Sequence, residues 1–452
     1  MENYSQLSDL LDAYQLPSQA GAAVDEAYEA FRQFHGPFIT AVTAQMLPDL
    51  QRDAEAGRTI VFLGRDGHSF AAAAQALAPD FFAAHCRDVV LSRLVADAAL
   101  LDLEAQRGAQ FPEVEQFRFR KKQLPPEEIP GAFRQLTAYL RAAGIPIGHP
   151  DSAVTLVDSS FKGTVQELLT AAYPQTDFQG RYAFFGTAPF DARPHKKLGY
   201  VVHLSAEQTG EGRGVPLAEL PADPALTFAT QEAIYSIEDT LHGALGSPIG
   251  LSAQGPVQQP QRHDPLLRGY NPLLVPDRFR SPMTREAVKA AALLAVRDAA
   301  VEAAAMRGRP EEAGWLKQNR EGFTSEVRKW IERSPQTDPR LKTVLDSFAR
   351  RVDHKVISKL QDHLAARGIA ERDALHLWEQ VERAPTHQAR ADLVDTLTRQ
   401  TPPSSAAAAR SRSTTVRKPT HPDRPAVPKP AEQPPHLRRP RNEPGRGQGP
   451  QR

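Results

Sequence analysis

Two stretches of the chain place reactive side-chain types at equivalent points. In the first, the apolar run Ile60–Leu63 passes directly into Gly64, Arg65, Asp66, Gly67 and His68. In the second, Val154–Val157 passes into Asp158, Ser159, Ser160, Lys162, Gly163 and Thr164. A carboxylate at such a point can attack phosphorus, hold a divalent cation or move a proton. A lysine beside the backbone N–H groups of a helix start can neutralise phosphoryl oxygens. A third apolar run, Val89–Leu91, leads to Ser92 and Arg93, a hydroxyl and a guanidinium of the kind that hold a phosphoryl group in line. The catalytic candidates are therefore Asp66, His68, Ser92 and Lys162. The ligand-binding candidates are Arg65, Gly67, Arg93, Ser159, Ser160, Gly163, Thr164 and Glu238. Asp66 and Asp158 are the candidate ligands of Mg²⁺, the one cofactor such a set would use. Farther along, Glu238, Asp239 and His242 fall at helical spacing, with Glu238 and His242 on one face.

Each of these residues also has a plain structural use. Asp66 or Asp158 could cap a helix by accepting a backbone N–H. Lys162-Gly163-Thr164 could be a turn into a helix, and Ser92-Arg93 a solvated strand end. Arg65 could pair with Asp158 or Glu238, and Glu238 with His242 on a surface helix.

The elements around the candidates set their positions. Short apolar runs bounded by Gly or polar residues read as buried strands of a parallel sheet. In such sheets ligands bind beyond the carboxyl ends of the strands. Strands are expected at Thr59–Leu63, Asp88–Leu91, Val154–Val157, Tyr182–Phe185 and Gly199–Leu204. They alternate with helical patterns at Phe70–Leu77, Val95–Glu104, Gly131–Ala143 and Val165–Ala172, with a Pro-bearing excursion over 108–130. The expected fold is α/β, a doubly wound, mainly parallel Rossmannoid sheet. An N-terminal helical cover, a C-terminal all-α region and a disordered tail complete it.

The chain divides on this reading into N-terminal helices packed on the core (1–57), a Rossmannoid domain (58–260), a linker (261–281), a helical region (282–400) and a tail (401–452). The N-terminal helices are Ser5–Tyr14, Ser18–Phe34 and Phe38–Ala56, with a break at Gly36-Pro37. Thr209–Pro224 reads as a loop, Phe228–Gly243 as a helix and Gly250–Pro276 as an extended arm. The last region reads as four helices, Thr284–Met306, Glu311–Arg333, Pro339–Ala366 and Glu371–Arg399.

The tail holds 12 of the 39 prolines and almost no large apolar residue, too little to offset chain entropy. It carries 11 Lys/Arg against 3 Asp/Glu, so with a net charge of +1 overall residues 1–400 are net acidic. A nucleic-acid footprint is thus not expected outside the tail, and a protein partner is expected to meet residues 282–400. The lone cysteine, Cys86, excludes an intrachain disulfide and a cysteine zinc cluster and points to the cytoplasm. No apolar run approaches the roughly 20 residues of a membrane helix, so no membrane contact is expected.

The order of motifs resembles a family of bacterial HAD-like (haloacid-dehalogenase-like) proteins, often encoded beside polysaccharide-biosynthesis enzymes. That family shows a strand ending in Arg-Asp-Gly-aromatic, a strand ending in Ser-Arg, a Val-Asp-Ser/Ile-Gly-Trp-x-Gly-Thr-x-Gln element and a later Glu…Ser-Pro-x-Gly stretch. The chain is similar at Gly64–His68, at Ser92-Arg93, at Val157–Gln166 and from Glu238 to Ser247-Pro248, over roughly residues 36–260. It departs at His68, where the family has an aromatic, and at Ser160-Phe161, where it has Gly-Trp. The resemblance implies a HAD-like Rossmannoid core that binds or acts on a phosphorylated small molecule, as a Mg²⁺-dependent phosphohydrolase or phosphotransferase if active. A phosphate-transferring HAD enzyme has an aspartate nucleophile and a second acid two residues later. Aligning Asp66 with the second acid puts Gly64 at the nucleophile position. Shifting the register makes Asp66 the nucleophile and puts His68 where the acid should be. Two further readings stand beside this one. Leu63–Gly67 and Val157–Thr164 also resemble, in order, the pyrophosphate and ribose-phosphate loops of phosphoribosyltransferases. A catalytically degenerate core serving as ligand sensor or scaffold is the other.

Overall fold

The computed structural model describes residues 6–119, 121–204, 238–241, 245–258, 268–351 and 353–400. The loop expected at Thr209–Pro224, most of the helix expected over Phe228–Gly243, His242 and the tail lie outside the described residues.

Five strands, β1 (Thr59–Gly64), β2 (Cys86–Val90), β3 (Ser152–Asp158), β4 (Thr176–Gly186) and β5 (Lys197–Leu204), form one sheet in the order β2-β1-β3-β4-β5. Every neighbouring pair is parallel. The cause is visible in β1, whose residues after Thr59 are all buried. Ile60 and Phe62 point into one apolar cluster, shared with α3 (Gly36–Glu55) and α4 (Gly67–Leu77). Val61 and Leu63 point into another, shared with α6 (Arg93–Arg107), α7 (Ala132–Ala142) and α8 (Thr164–Ala172). A strand buried on both faces has no polar side to show, which is why these runs are continuously apolar.

The chain moves from β1 outward to β2, then returns to place β3 on the other side of β1. The strand order thus changes direction between β1 and β3, and in parallel sheets the crevice for a ligand is expected beyond the carboxyl ends at such a point. Asp66 follows β1 and Asp158 ends β3, so both stand at that crevice. At the opposite end the charges are structural. Arg58 donates to Asp177 Oδ2 at 2.7 Å and to the Val154 carbonyl at 2.8 Å, and Arg181 Nη2 donates to Asp53 Oδ1 at 2.9 Å.

The N-terminal helices differ from expectation. After α1 (Leu7–Tyr14), α2 (Ser18–Ala30) runs into α3 without a break, through a π-helical segment, Phe31–His35. The Gly36 N–H bonds to the Phe31 carbonyl five residues back. That wider turn absorbs Pro37, whose missing N–H would otherwise interrupt the ladder.

The long Ala-rich helix α9 (Pro282–Met306) packs on α2, α3 and α4. Its Val296, Ala300 and Ala303 join the apolar cluster of the sheet, and α10 (Glu312–Ile331) adds Phe323, Val327 and Trp330. The expected helix Pro339–Ala366 is two helices, α11 (Pro339–Phe348) and α12 (His354–Ala366), and the expected Glu371–Arg399 contains α13 (Leu375–Arg383) and α14 (His387–Gln400). The second break falls at Ala384-Pro385, where Pro removes an N–H and biases its predecessor away from helix. The expected extended arm contains a small antiparallel hairpin, β6 (Gly250–Ser252) with β7 (Gly255–Val257). Among the described residues no helix is long and apolar enough to cross a membrane.

The crossing of α9 over α3 is set by Gly36. A Cβ there would lie 2.5 Å from the Ala295 carbonyl oxygen and 2.9 Å from its carbon, both backbone. Gly36→Ala should therefore lower stability by roughly 1–3 kcal/mol, the usual cost of overpacking. Urea unfolding of the variant beside Gly21→Ala, where a Cβ meets nothing within 4 Å, measures it; equal midpoints would show that the crossing is loose.

Candidate functional site

Asp66 occupies the N-cap position of α4, yet its side chain makes no capping bond. Its Oδ2 instead accepts from Ser159 Oγ at 2.5 Å, across the gap between β1 and β3. Ser159 is fully buried and also lies 3.4 Å from Glu238 Oε1. A hydroxyl has one proton to give. Given to Asp66, it leaves the Glu238 contact to be donated by a protonated Glu238. The electrostatics agree: burial, and then the charge of Asp66, push the Glu238 carboxyl up to about 8. Asp158 accepts the Ser159 backbone N–H at 2.8 Å, and burial with the nearby charges of Asp66 and Glu238 holds it well above the usual carboxylate range. Burial and mutual repulsion thus shift both Glu238 and Asp158 toward their protonated forms.

The cations stand on one side of these acids. Lys162 and Arg93 make no ion pair among the described residues, and Arg93 is near enough to draw down both Asp158 and Glu238. Burial and then Arg93 lower the Lys162 ammonium. Each cation lies over an aromatic ring, Arg93 over Phe119 and Lys162 over Phe190, both at 5.6 Å. Ser160 Oγ accepts the Gly163 N–H at 3.1 Å, which shapes the turn into α8. Gly163 takes the N-cap position and Thr164 opens the helix, buried. A salt-bridged core lies beneath this turn, where Lys197 Nζ meets Glu167 Oε1 and Asp191 Oδ2 at 2.7 Å each, all buried.

Two candidates are engaged elsewhere. Ser92 caps α6, accepting the Val95 N–H at 3.2 Å, and donates to the Pro248 carbonyl at 2.7 Å. His68 turns toward β2, where its Nδ1 donates to Asp88 Oδ1 at 2.9 Å. A carboxylate only accepts, so that bond fixes the proton on Nδ1 and leaves Nε2 as the acceptor in the neutral ring. The ring covers Gly64, where an added Cβ would lie 2.2 Å from Nε2. The position that the first HAD alignment gives to a nucleophile is thus filled by imidazole. Gly67 packs at the start of α4, where a Cβ would come within 3.1 Å of the Val157 carbonyl oxygen. Arg65 is half-buried and close enough to Lys289 to lower its pKa.

Lys289, on α9, is a residue that the motif reading did not reach. It is fully enclosed, donates to the Asp239 carbonyl, and is brought down to about 7, chiefly by burial. Its signal in the sequence is Arg285 and Lys289, four apart on an otherwise apolar helix face. Arg350, between α11 and α12, was missed as well. Its Nε and Nη2 donate to Asp239 Oδ2 and Oδ1 at 2.7 and 2.9 Å, and its backbone N–H to Oδ2 at 3.1 Å. Ser69 Oγ on α4 adds a bond of 3.3 Å to the Leu241 carbonyl. Glu238 therefore reaches the crevice on a single helical turn, Glu238–Leu241, held by α4, α9 and the break between α11 and α12.

Asp66, Asp158 and Glu238 match Mg²⁺ in donor chemistry, since it favours carboxylate oxygens. Among the described residues, however, no group of three or more His, Cys, Asp or Glu is placed to hold a metal ion. Comparison with family models, with curated proteins and with solved structures found no match for the chain.

The raised Glu238 fixes a pH dependence. Its ordinary value is 4.5 and its folded value about 8, so between those limits the folded chain holds a proton that the unfolded chain has lost. The contribution of Glu238 to stability falls as pH rises through this window and is level above it. Glu238→Gln should gain stability over the native chain, by on the order of a few kcal/mol more at pH 8.5 than at pH 5. Thermal unfolding of both proteins at the two pH values tests this; a difference independent of pH would rule out the protonated carboxyl.

Proposed function

We propose that the chain is a HAD-like, doubly wound Rossmannoid protein that binds a phosphorylated small molecule in the crevice at the carboxyl ends of β1 and β3. The observation that carries this reading is the pair Lys162 and Arg93, half-buried cations without an ion-pair partner among the described residues. Arg93 is near enough to Asp158 and Glu238 to lower both, and Lys162 is near enough to Arg93 to be lowered by it. Burial and mutual repulsion raise the two acids above the usual carboxylate range, which weakens their hold on Arg93 and favours an anionic ligand there. A phosphoryl group would meet Lys162, Arg93 and the backbone N–H groups at the start of α8, in keeping with the affinity of helix starts for anions. Asp158, Glu238 and Ser159 would hydrogen-bond the hydroxyls of the ligand. Cys86 as the lone cysteine accords with a cytoplasmic setting.

Phosphoryl transfer is a second reading, favoured by the Glu238–Ser159–Asp66 array. An ionised Asp66 would attack phosphorus and a protonated Glu238 would give its proton to the leaving oxygen, the division of roles that separated pKa values allow. Mg²⁺-dependent phosphate release that disappears in Asp66→Asn would establish catalysis over binding alone.

Calorimetric titration of the full chain with ribose 5-phosphate and with inorganic phosphate, with and without Mg²⁺, tests the binding reading. Lys162→Met should weaken both ligands by roughly 10- to 100-fold, the worth of a lost charge-assisted bond. If the native protein takes up neither ligand, the binding reading is wrong.

A further inference from the structure

Beside Arg93 lies an aromatic ring that phosphate binding does not use. The segment between α6 and α7 contributes two phenylalanines two residues apart, and they lie in opposite environments. Phe117 is 3% exposed and packs edge-on against Phe190, with ring centroids 4.9 Å apart. Phe119 is 57% exposed. Its one ring contact among the described residues is Arg93, whose guanidinium carbon lies 5.6 Å from the centroid. Arg93 is also the cation that acts on Lys162, Asp158 and Glu238. It therefore sits between the phosphate-binding end and an exposed aromatic face.

We propose that the ligand is a nucleoside phosphate, with its phosphate on Lys162 and Arg93, its ribose hydroxyls on Asp158 and Glu238, and its base stacked on Phe119. The inference rests on the phosphate reading above and names the substrate class for that site. A sugar phosphate would satisfy the cations and the carboxylates and leave Phe119 in water. A planar base stacked on the open face of that ring would cover it, with the Arg93 guanidinium on the opposite face. Stacking of this kind tolerates any base, so the site would discriminate nucleotide from sugar phosphate more strongly than one base from another.

Calorimetry on the full chain with AMP, ribose 5-phosphate and inorganic phosphate separates the possibilities. The native protein should bind AMP about 10-fold or more tighter than ribose 5-phosphate, as expected from one base–aromatic stack. Phe119→Ala should abolish that preference and leave the ribose 5-phosphate affinity unchanged, while Phe119→Trp retains it. Phe119 is exposed, so neither change threatens the fold. Equal affinity of the native protein for AMP and ribose 5-phosphate would overturn the nucleoside assignment and leave the phosphate reading standing. A preference that survives in Phe119→Ala would overturn the stack on Phe119. Failure of all three probes to bind would overturn both.

Discussion

Three carboxylates brought to one point, two half-buried and Glu238 buried, repel one another, and that repulsion governs the rest of the site. Asp66 and Asp158 are fixed there by the sheet itself, one following β1 and the other closing β3. Glu238 arrives from a distant part of the chain. The Ser159 hydroxyl stands between two of the acids, donating to Asp66 and lying 3.4 Å from Glu238, whose carboxyl is pushed up to about 8 by burial and the Asp66 charge. Arg93 acts the other way and lowers both Asp158 and Glu238.

This balance explains the fold around it. A protonated acid in a low-dielectric site needs rigid neighbours, since a small displacement would let water in and the proton out. The α9 helix supplies Lys289, and the break between α11 and α12 supplies Arg350; both hold Asp239, the neighbour of Glu238. The region after residue 282 shares one apolar cluster with the sheet through Val296, Ala300, Phe323 and Trp330. It therefore contributes to the geometry of the crevice as well as to the core.

How much of this was legible in the sequence depended on whether a local pattern caused the feature. The strands β1 and β3 and the acids at their ends were readable, because burial on both faces demands uninterrupted apolar runs and the change to polar residues marks the strand end. The continuity from α2 to α3 was not, because Gly36-Pro37 is ordinarily a helix stop and only the preceding π turn accommodates it. The break after Phe348 was hidden for the opposite reason. No Gly or Pro marks it, and it coincides with the main-chain and side-chain bonds of Arg350 to Asp239. In the site, Asp66, Asp158, Ser159 and Lys162 were found by their spacing from the strand ends. Lys289 and Arg350 were missed because tertiary packing alone brings α9 and the break between α11 and α12 to the crevice. Ser92 and His68 had the right residue types, but a helix cap and Asp88 engage them.

The clasp between Asp239 and Arg350 joins residues 111 apart in the chain. During synthesis the strands of the sheet emerge long before Arg350 does. The nascent chain thus passes through a period in which β1 to β5 are complete and the turn bearing Glu238 has neither Arg350 nor Lys289 to hold it. In that interval Asp66 and Asp158 face each other without their protonated neighbour fixed in place.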